Sequence, residues 1–227
     1  MVLQKGCDLM QFTAILLAGG NGKRTGLKTN KVFLEIKGKK VLDYSLELLK
    51  KQAEISEIIL VLAENVDNSI ISHYKELVDH IVFGGLERQD SVFNALNKAK
   101  NDYILIHDGA RPFIPESSLR EIYKNINVEK SMTLGVKLKD TVFKMAGNHV
   151  VETFDRNDMI SVQTPQAFHK EALLKAHELA RKEMFYGTDD TMLMAKYLGI
   201  NAYVIQGDYR NIKLTTIEDI SLLEVIL

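Results

Sequence analysis

Gly19, Gly20 and Gly22 close an apolar run, Ala14–Leu17, and lead into Lys23, Arg24 and, further on, Lys31. An apolar run of this kind reads as a buried strand. Glycines at its end let backbone N–H groups approach a ligand closely, because no Cβ intervenes. Cations directly after them make that ligand an anion, with a phosphate chain the best match. Two familiar phosphate loops fail on spacing. A P-loop needs Gly five residues before its Gly-Lys and Ser or Thr after it; here those positions hold Leu17 and Arg24. The dinucleotide pattern G-x-G-x-x-G fails at Thr25. An ordinary strand-to-helix turn with solvated charges would also carry these residue types.

A second cluster is His107-Asp108-Gly109-Ala110-Arg111-Pro112, again after an apolar strand. Asp108 at a strand end could meet Mg²⁺ or a polar substrate group, since Mg²⁺ favours one or two carboxylates plus substrate phosphates. Arg111 could grip a second phosphate as a fork. The alternative is an Asp–Arg pair that only fixes the turn. Lys213, in Asn211–Thr215, could add a point charge for phosphate. Thr188-Asp189-Asp190 stands at a helix start, where capping explains at least part of it. Thr164-Pro165-Gln166 reads as a turn.

These groups need a scaffold, and the chain reads as strand and helix in alternation. Strands are expected at 13–17, 57–62, 80–83, 102–106, 132–136 and 202–205. Helices are expected at 41–49, 68–77, 90–99, 117–126, 170–182, 191–198 and 217–226, with Asp90 or Ser91 near the start of the third. This order implies an α/β fold: a mostly parallel sheet with helices on both faces. Ligands in such sheets bind beyond the carboxyl ends of the strands, so 19–24, 84–91 and 107–111 are expected to line one crevice. Residues 137–160 break the alternation with two extended runs around Ala146-Gly147-Asn148, a hairpin signal. An isolated hairpin is marginal in water, so this one is expected to be an arm that packs on another subunit. The alternative is an edge hairpin folded back on its own domain.

Composition sets the limits. The 227 residues are 46% apolar and 26% charged, with a formal charge of −1. That balance gives no global field for nucleic acid or a membrane surface. One cysteine, Cys7, excludes an internal disulfide and a cysteine-based zinc site. No 18-residue apolar run marks a membrane span. The first ten residues lack the apolar core of a signal peptide, so the cytoplasm is the expected compartment. Three prolines and no visible repeat point to one domain, 13–227, behind a 1–12 extension. There is no G-x-S-x-G, C-x-x-C or H-E-x-x-H, and the six histidines show no metal-ligand spacing.

Taken together, LLAGGNGKR (16–24), NKVFLEI (30–36), GGLERQDSV (84–92), HDGARPF (107–113), KDTVF (139–143), TFDRN (153–157), QTPQAF (163–168), TDD (188–190) and NIKLTT (211–216) carry a resemblance. From Thr13 to Leu227 the chain resembles the cytidylyltransferases that make CDP-methylerythritol from CTP and 2-C-methyl-D-erythritol 4-phosphate. The resemblance implies a Rossmann-like nucleotidyltransferase fold and a homodimer joined by the hairpin arm, with shared active sites. It implies that Arg24 and Lys31 stabilise the transition state at the triphosphate, with Lys213 a third catalytic cation. It implies that Ala18, Gly19, Gly20, Gly22, Gly85, Ser91 and Asp108 bind the nucleotide. Asp108, Arg111, Thr164 and Thr188 would surround the sugar phosphate and the metal-bound nucleotide. Thr141 and Arg156 would reach the partner's site. Mg²⁺ or another divalent cation would be held mainly by the CTP phosphates, with Asp108 as its protein contact.

Some positions depart from the family pattern. Asn30-Lys31-Val32 stands where Pro-Lys-Gln is usual, Thr25 where Met is common, and Leu86 where Asp usually follows the double glycine. Gly19-Gly20 is similar to a sister family that acts on ribitol 5-phosphate, but Gly109-Ala110 is not, and methylerythritol phosphate is the favoured acceptor. An NAD-dependent oxidoreductase fails at Thr25. A non-catalytic nucleotide sensor would leave Arg111, Lys213 and Arg156 without a task.

Overall fold

The run before the glycines is a strand, β1 (Phe12–Leu17), lying between two parallel neighbours in a computed structural model that describes residues 10–20 and 30–227. Those neighbours are β4 (Ile55–Leu62) and β6 (Tyr103–Asp108). Beyond β4 lies β5 (His80–Phe83). On the other side follow β10 (Ile160–His169), β7 (Ser131–Lys137) and β11 (Ala202–Gln206). The resulting seven-stranded sheet has the order β11-β7-β10-β6-β1-β4-β5. It is parallel except at β10, which runs antiparallel to both β6 and β7. Two short strands, β2 (Glu35–Ile36) and β3 (Lys39–Lys40), pair separately, as do β8 (Phe143–Ala146) and β9 (His149–Thr153).

Alternation along β1 explains why both faces are covered. Phe12, Ala14 and Leu16 enter one apolar cluster and Ile15 the other. The first cluster takes Leu42, Leu46 and Leu49 of α1 (Val41–Lys50), Tyr74 of α2 (Asn68–Lys75), Leu119 and Ile122 of α4 (Glu116–Asn125) and Leu223 of α7 (Glu218–Ile226). The second takes Val92 and Leu96 of α3 (Arg88–Leu96), Leu173 and Ala176 of α5 (Lys170–Lys182) and Leu193 of α6 (Asp190–Leu198). Each fully buried Leu or Ile contributes about 1.5–3 kcal/mol over its exposed state.

Two expectations need correction. Thr164-Pro165-Gln166 is not a turn between elements; it lies inside the ten-residue β10. The β7 register shifts between Gln163 and Gln166. Proline brings no N–H to a ladder, and a bulge is where a strand tolerates it. Helix α3 begins at Arg88, not Asp90. The Asp90 carboxylate reaches back to accept from the Glu87 N–H at 3.3 Å, so Asp90 sits three residues inside the cap.

The hairpin in 137–160 is present. Ala146 pairs with His149, and Gly147 turns the chain at φ +56°, where a side chain would be strained. Every residue of β8 and β9 is exposed.

Candidate active site

Three segments meet at the carboxyl end of the sheet around a cleft of about 460 Å³. After β1 come Gly19 and Gly20; after β5, Gly85, Leu86, Glu87, Arg88 and Ser91; at the end of β6, Asp108 and Ala110. Leu17, Asn30, Lys31, Val32 and Lys213 complete the wall. This is where the strand-end rule puts a ligand.

Asp108 is the best-anchored group in it. Its N–H donates to Thr164 Oγ1 at 3.1 Å. That hydroxyl, with its oxygen so engaged, donates to His107 Nδ1 at 3.0 Å. The ring completes the chain by donating from Nε2 to the Arg111 carbonyl at 2.9 Å. Burial pushes the His107 imidazole down to about 4. A neutral ring has one donor and one acceptor, which is what these two contacts require. The next residue must be glycine on steric grounds. A Cβ on Gly109 would stand 2.9 Å from the Leu17 carbonyl oxygen and 2.8 Å from Leu42 Cδ1.

Three cations face the Asp108 carboxylate. Lys213 Nζ lies 2.7 Å from Oδ2, Arg88 Nε 3.5 Å from Oδ1, and Arg111 Nε 3.9 Å from Oδ2. Burial alone would raise the Asp108 carboxyl, but Arg88, Lys213 and Arg111 outweigh it and hold the group well below the usual carboxylate range. Lys213 is brought there by a strap. Leu214 N–H donates to Ala110 O at 2.8 Å, Arg111 Nη1 to Asn211 O at 2.6 Å, and Asn211 Nδ2 to Thr164 O at 2.8 Å.

Lys31 opens a short 3-10 turn, Lys31–Phe33, and is mostly buried. Asn30 fixes the start of that turn with both ends of its side-chain amide. Its Oδ1 accepts from Val32 N–H at 3.3 Å, and its Nδ2 donates to Ala18 O at 2.7 Å. The departure from proline at this position thus installs a cap that ties the Lys31 turn to the end of β1. Opposite, Ser91 Oγ accepts from Gly85 N–H at 3.2 Å and donates to Glu87 O at 3.1 Å, closing the loop before α3. Leu86 projects from that loop with 98% exposure.

The expected site residues divide accordingly. Gly19, Gly20, Lys31, Gly85, Ser91, Asp108 and Lys213 line the cleft. Ala18 lies buried behind it, its N–H donating to Val61 O at 2.8 Å. Thr164 is buried under Asp108, and Arg111 is tied into the strap. Thr188 is exposed, and its hydroxyl lies 3.9 Å from Met192 Sδ. Thr141 and Arg156 are exposed on the arm, and Arg156 Nη1 donates to Lys139 O at 3.0 Å. Gly22 and Arg24 lie outside the described residues.

Neither Arg88 nor the Asn30 side chain is among the site residues expected from the sequence. Arg88 stands inside GGLERQDSV, directly before an apolar-periodic helix at a strand's carboxyl end. That placement is the signal that could have found it. Asp190 proves to be a buried ion-pair partner of Arg88 at 2.6 Å, beyond any capping role.

Among the described residues no three His, Cys, Asp or Glu side chains group as a metal cage. Asp108 and the rim residue Glu87 are the carboxylates of the cleft wall. One such carboxylate fits a hard divalent cation carried mainly by phosphate oxygens.

The model of the family described as 2-C-methyl-D-erythritol 4-phosphate cytidylyltransferase matches residues 12–227. The Clostridium tetani protein of that name is 42% identical over 224 residues, 96% of this chain and 88% of that one. Its Clostridium beijerinckii counterpart is 38% identical over 218 residues, 93% and 96% of the two chains. The crystal structure of 4-diphosphocytidyl-2C-methyl-D-erythritol synthase from Anaerococcus prevotii superposes with a TM-score of 0.80 at 32% identity, covering 96% of each chain.

Proposed function

The chain belongs to the 2-C-methyl-D-erythritol 4-phosphate cytidylyltransferase family, and from that premise we propose that it transfers CMP from CTP to 2-C-methyl-D-erythritol 4-phosphate. The products are CDP-methylerythritol and pyrophosphate, a step of isoprenoid precursor synthesis. The observation that carries this reading is the cation-ringed Asp108 opposite the Gly19-Gly20 strand end, in one cleft with Lys31.

A phosphate oxygen of the acceptor attacks the α-phosphorus of CTP in line. The new P–O bond forms as the bond to the pyrophosphate breaks, and pyrophosphate carries away the electron pair. The acceptor phosphate is largely dianionic at pH 7, with its second pKa near about 6, so no general base is required. The barrier is the approach of two polyanions. Lys31, Lys213 and Arg24 neutralise charge on the bridging and non-bridging oxygens. Asp108 holds Lys213 on the cleft wall, and Thr164 with His107 holds Asp108. Asp108 would also contact a divalent cation, which supplies further charge neutralisation when bound with the triphosphate. Gly85, Ser91 and the backbone of Gly19 and Gly20 receive the nucleoside, with Ala18 behind them fixing the end of β1.

The arm joins two copies, and Thr141 and Arg156 serve the partner's site. Phe143, Met145, Val150 and Val151 are all about half exposed on a two-stranded hairpin, which supports that reading. No helix among the described residues is long and apolar enough to cross a membrane. The cytoplasm remains the proposed compartment, with small molecules as the enzyme's substrates.

Pyrophosphate release tests the proposal. CTP with methylerythritol phosphate should give rapid release, and CTP with ribitol 5-phosphate much slower release. Faster release with ribitol phosphate would assign the chain to the sister activity. No release with either acceptor would reject both.

A further inference from the structure

Asp190, the first residue of α6, is only 1% exposed. Its Oδ2 receives Arg88 Nη1 at 2.6 Å, and its Oδ1 faces His177 Nε2 at 2.9 Å. His177 is fully buried in α5 and stacks on Phe93 of α3. Its Nδ1 has no hydrogen-bond partner among the described residues. The ring therefore spends its polar capacity on Asp190. Arg88 in turn faces two acids, Asp190 behind it and Asp108 in the cleft. The five groups form one line: His177, Asp190, Arg88, Asp108, Lys213. It runs from the core under α5 to the strap that carries Lys213. A neighbouring clamp keeps α3 against the chain before α6: Gly187 N–H donates to Gln89 Oε1 at 2.9 Å, and Gln89 Nε2 to Phe185 O at 3.1 Å.

Such a buried ion pair is a poor source of stability. Apolar residues of similar volume often do as well or better. Its effect on geometry is specific. With Asp190 in place, the guanidinium is divided between two carboxylates. Without it, Arg88 would collapse onto Asp108 or onto an incoming phosphate, and would compete with Lys213 for the same carboxylate. We propose that Asp190 and Arg88 are positioning residues for the transfer reaction: Asp190, held by His177, restrains Arg88 so that Asp108 keeps Lys213 aimed into the cleft. This rests on the cytidylyl-transfer reading above.

The test is a double-mutant cycle on pyrophosphate release from CTP with methylerythritol phosphate, with thermal unfolding of each variant in parallel. Asp190→Asn should lower kcat about tenfold while KM for CTP moves less than about threefold. In an Asp108→Asn background the same change should cost less than about twofold, because residues in one network couple strongly. If Asp190→Asn fails to fold, Arg88→Lys carries the test: a single ammonium keeps the charge but cannot fork between two carboxylates. The same tenfold loss in kcat, absorbed in the Asp108→Asn background, is then expected. An active wild type with losses that multiply in the double variant, or with kcat unchanged in the single one, overturns the positioning role alone. A wild type that releases no pyrophosphate overturns the transfer reading and this role with it.

Discussion

The cleft and the hairpin arm are built by opposite means. At the cleft, side chains from five separate stretches of sequence bond to one another and to backbone, and Asp108 is held from below by Thr164 and from the side by Lys213. On the arm, all residues of β8 and β9 are exposed, and the strands have their own ladder and a surface Lys144–Glu152 pair at 3.1 Å. The first region is held in place, among the described residues, by contacts within the chain. The other leaves four apolar side chains, Phe143, Met145, Val150 and Val151, about half exposed together on one hairpin. The contrast fits the proposal that the arm, unlike the cleft wall, acts through a second copy.

The largest test of that contrast strikes the cleft. Lys31→Ala should cut turnover about 10²–10³-fold while the fold survives, since a positioned cation acts mainly on transition-state charge. Near-normal turnover in the folded variant would remove Lys31 from the mechanism.

The buried support under the cleft should show in pH. The folded chain holds His107 neutral down to about 4, while the unfolded chain takes up that proton near about 6.5. Stability from this group is therefore full above about 6.5 and falls as pH drops towards 4. Between pH 6.5 and 4.5 the loss should reach about 2–3 kcal/mol in urea unfolding. His107→Gln should flatten that part of the profile. An unchanged slope would mean that His107 does not carry it.

The arm predicts something only a pair of chains can do. Arg156→Ala and Lys31→Ala, each nearly inactive alone, should recover about a quarter of wild-type activity when mixed and allowed to exchange. About half of randomly paired C₂ dimers are mixed, and each mixed dimer has one intact site. No recovery would return Arg156 to its own chain's site.

The smallest effect sharpens the same contrast. Val150→Ser on the arm should change the stability of an isolated chain by less than about 0.5 kcal/mol. It should still weaken self-association, seen as a weaker dependence of unfolding on protein concentration, with the rise in midpoint shifted to higher concentration. Unaltered association would leave the arm's apolar surface without that partner.

The sequence by itself determined the layered α/β plan, the strand-end glycines, and the meeting of three polar clusters at one crevice. The reason is local. Apolar period and glycine placement are written in consecutive residues, and parallel strands must deliver their carboxyl ends to one side. It also identified the hairpin, because two extended runs around a glycine turn are a short-range signal. Only the tertiary structure decided that Thr164-Pro165-Gln166 lies inside a strand, since β10 is defined by neighbours at 103–106 and 132–137 rather than by its own composition. Only the tertiary structure revealed Arg88 between Asp108 and Asp190. That pairing spans 102 residues of sequence between Arg88 and Asp190, and a charge can show its partner only once folding has excluded the water that would otherwise solvate it.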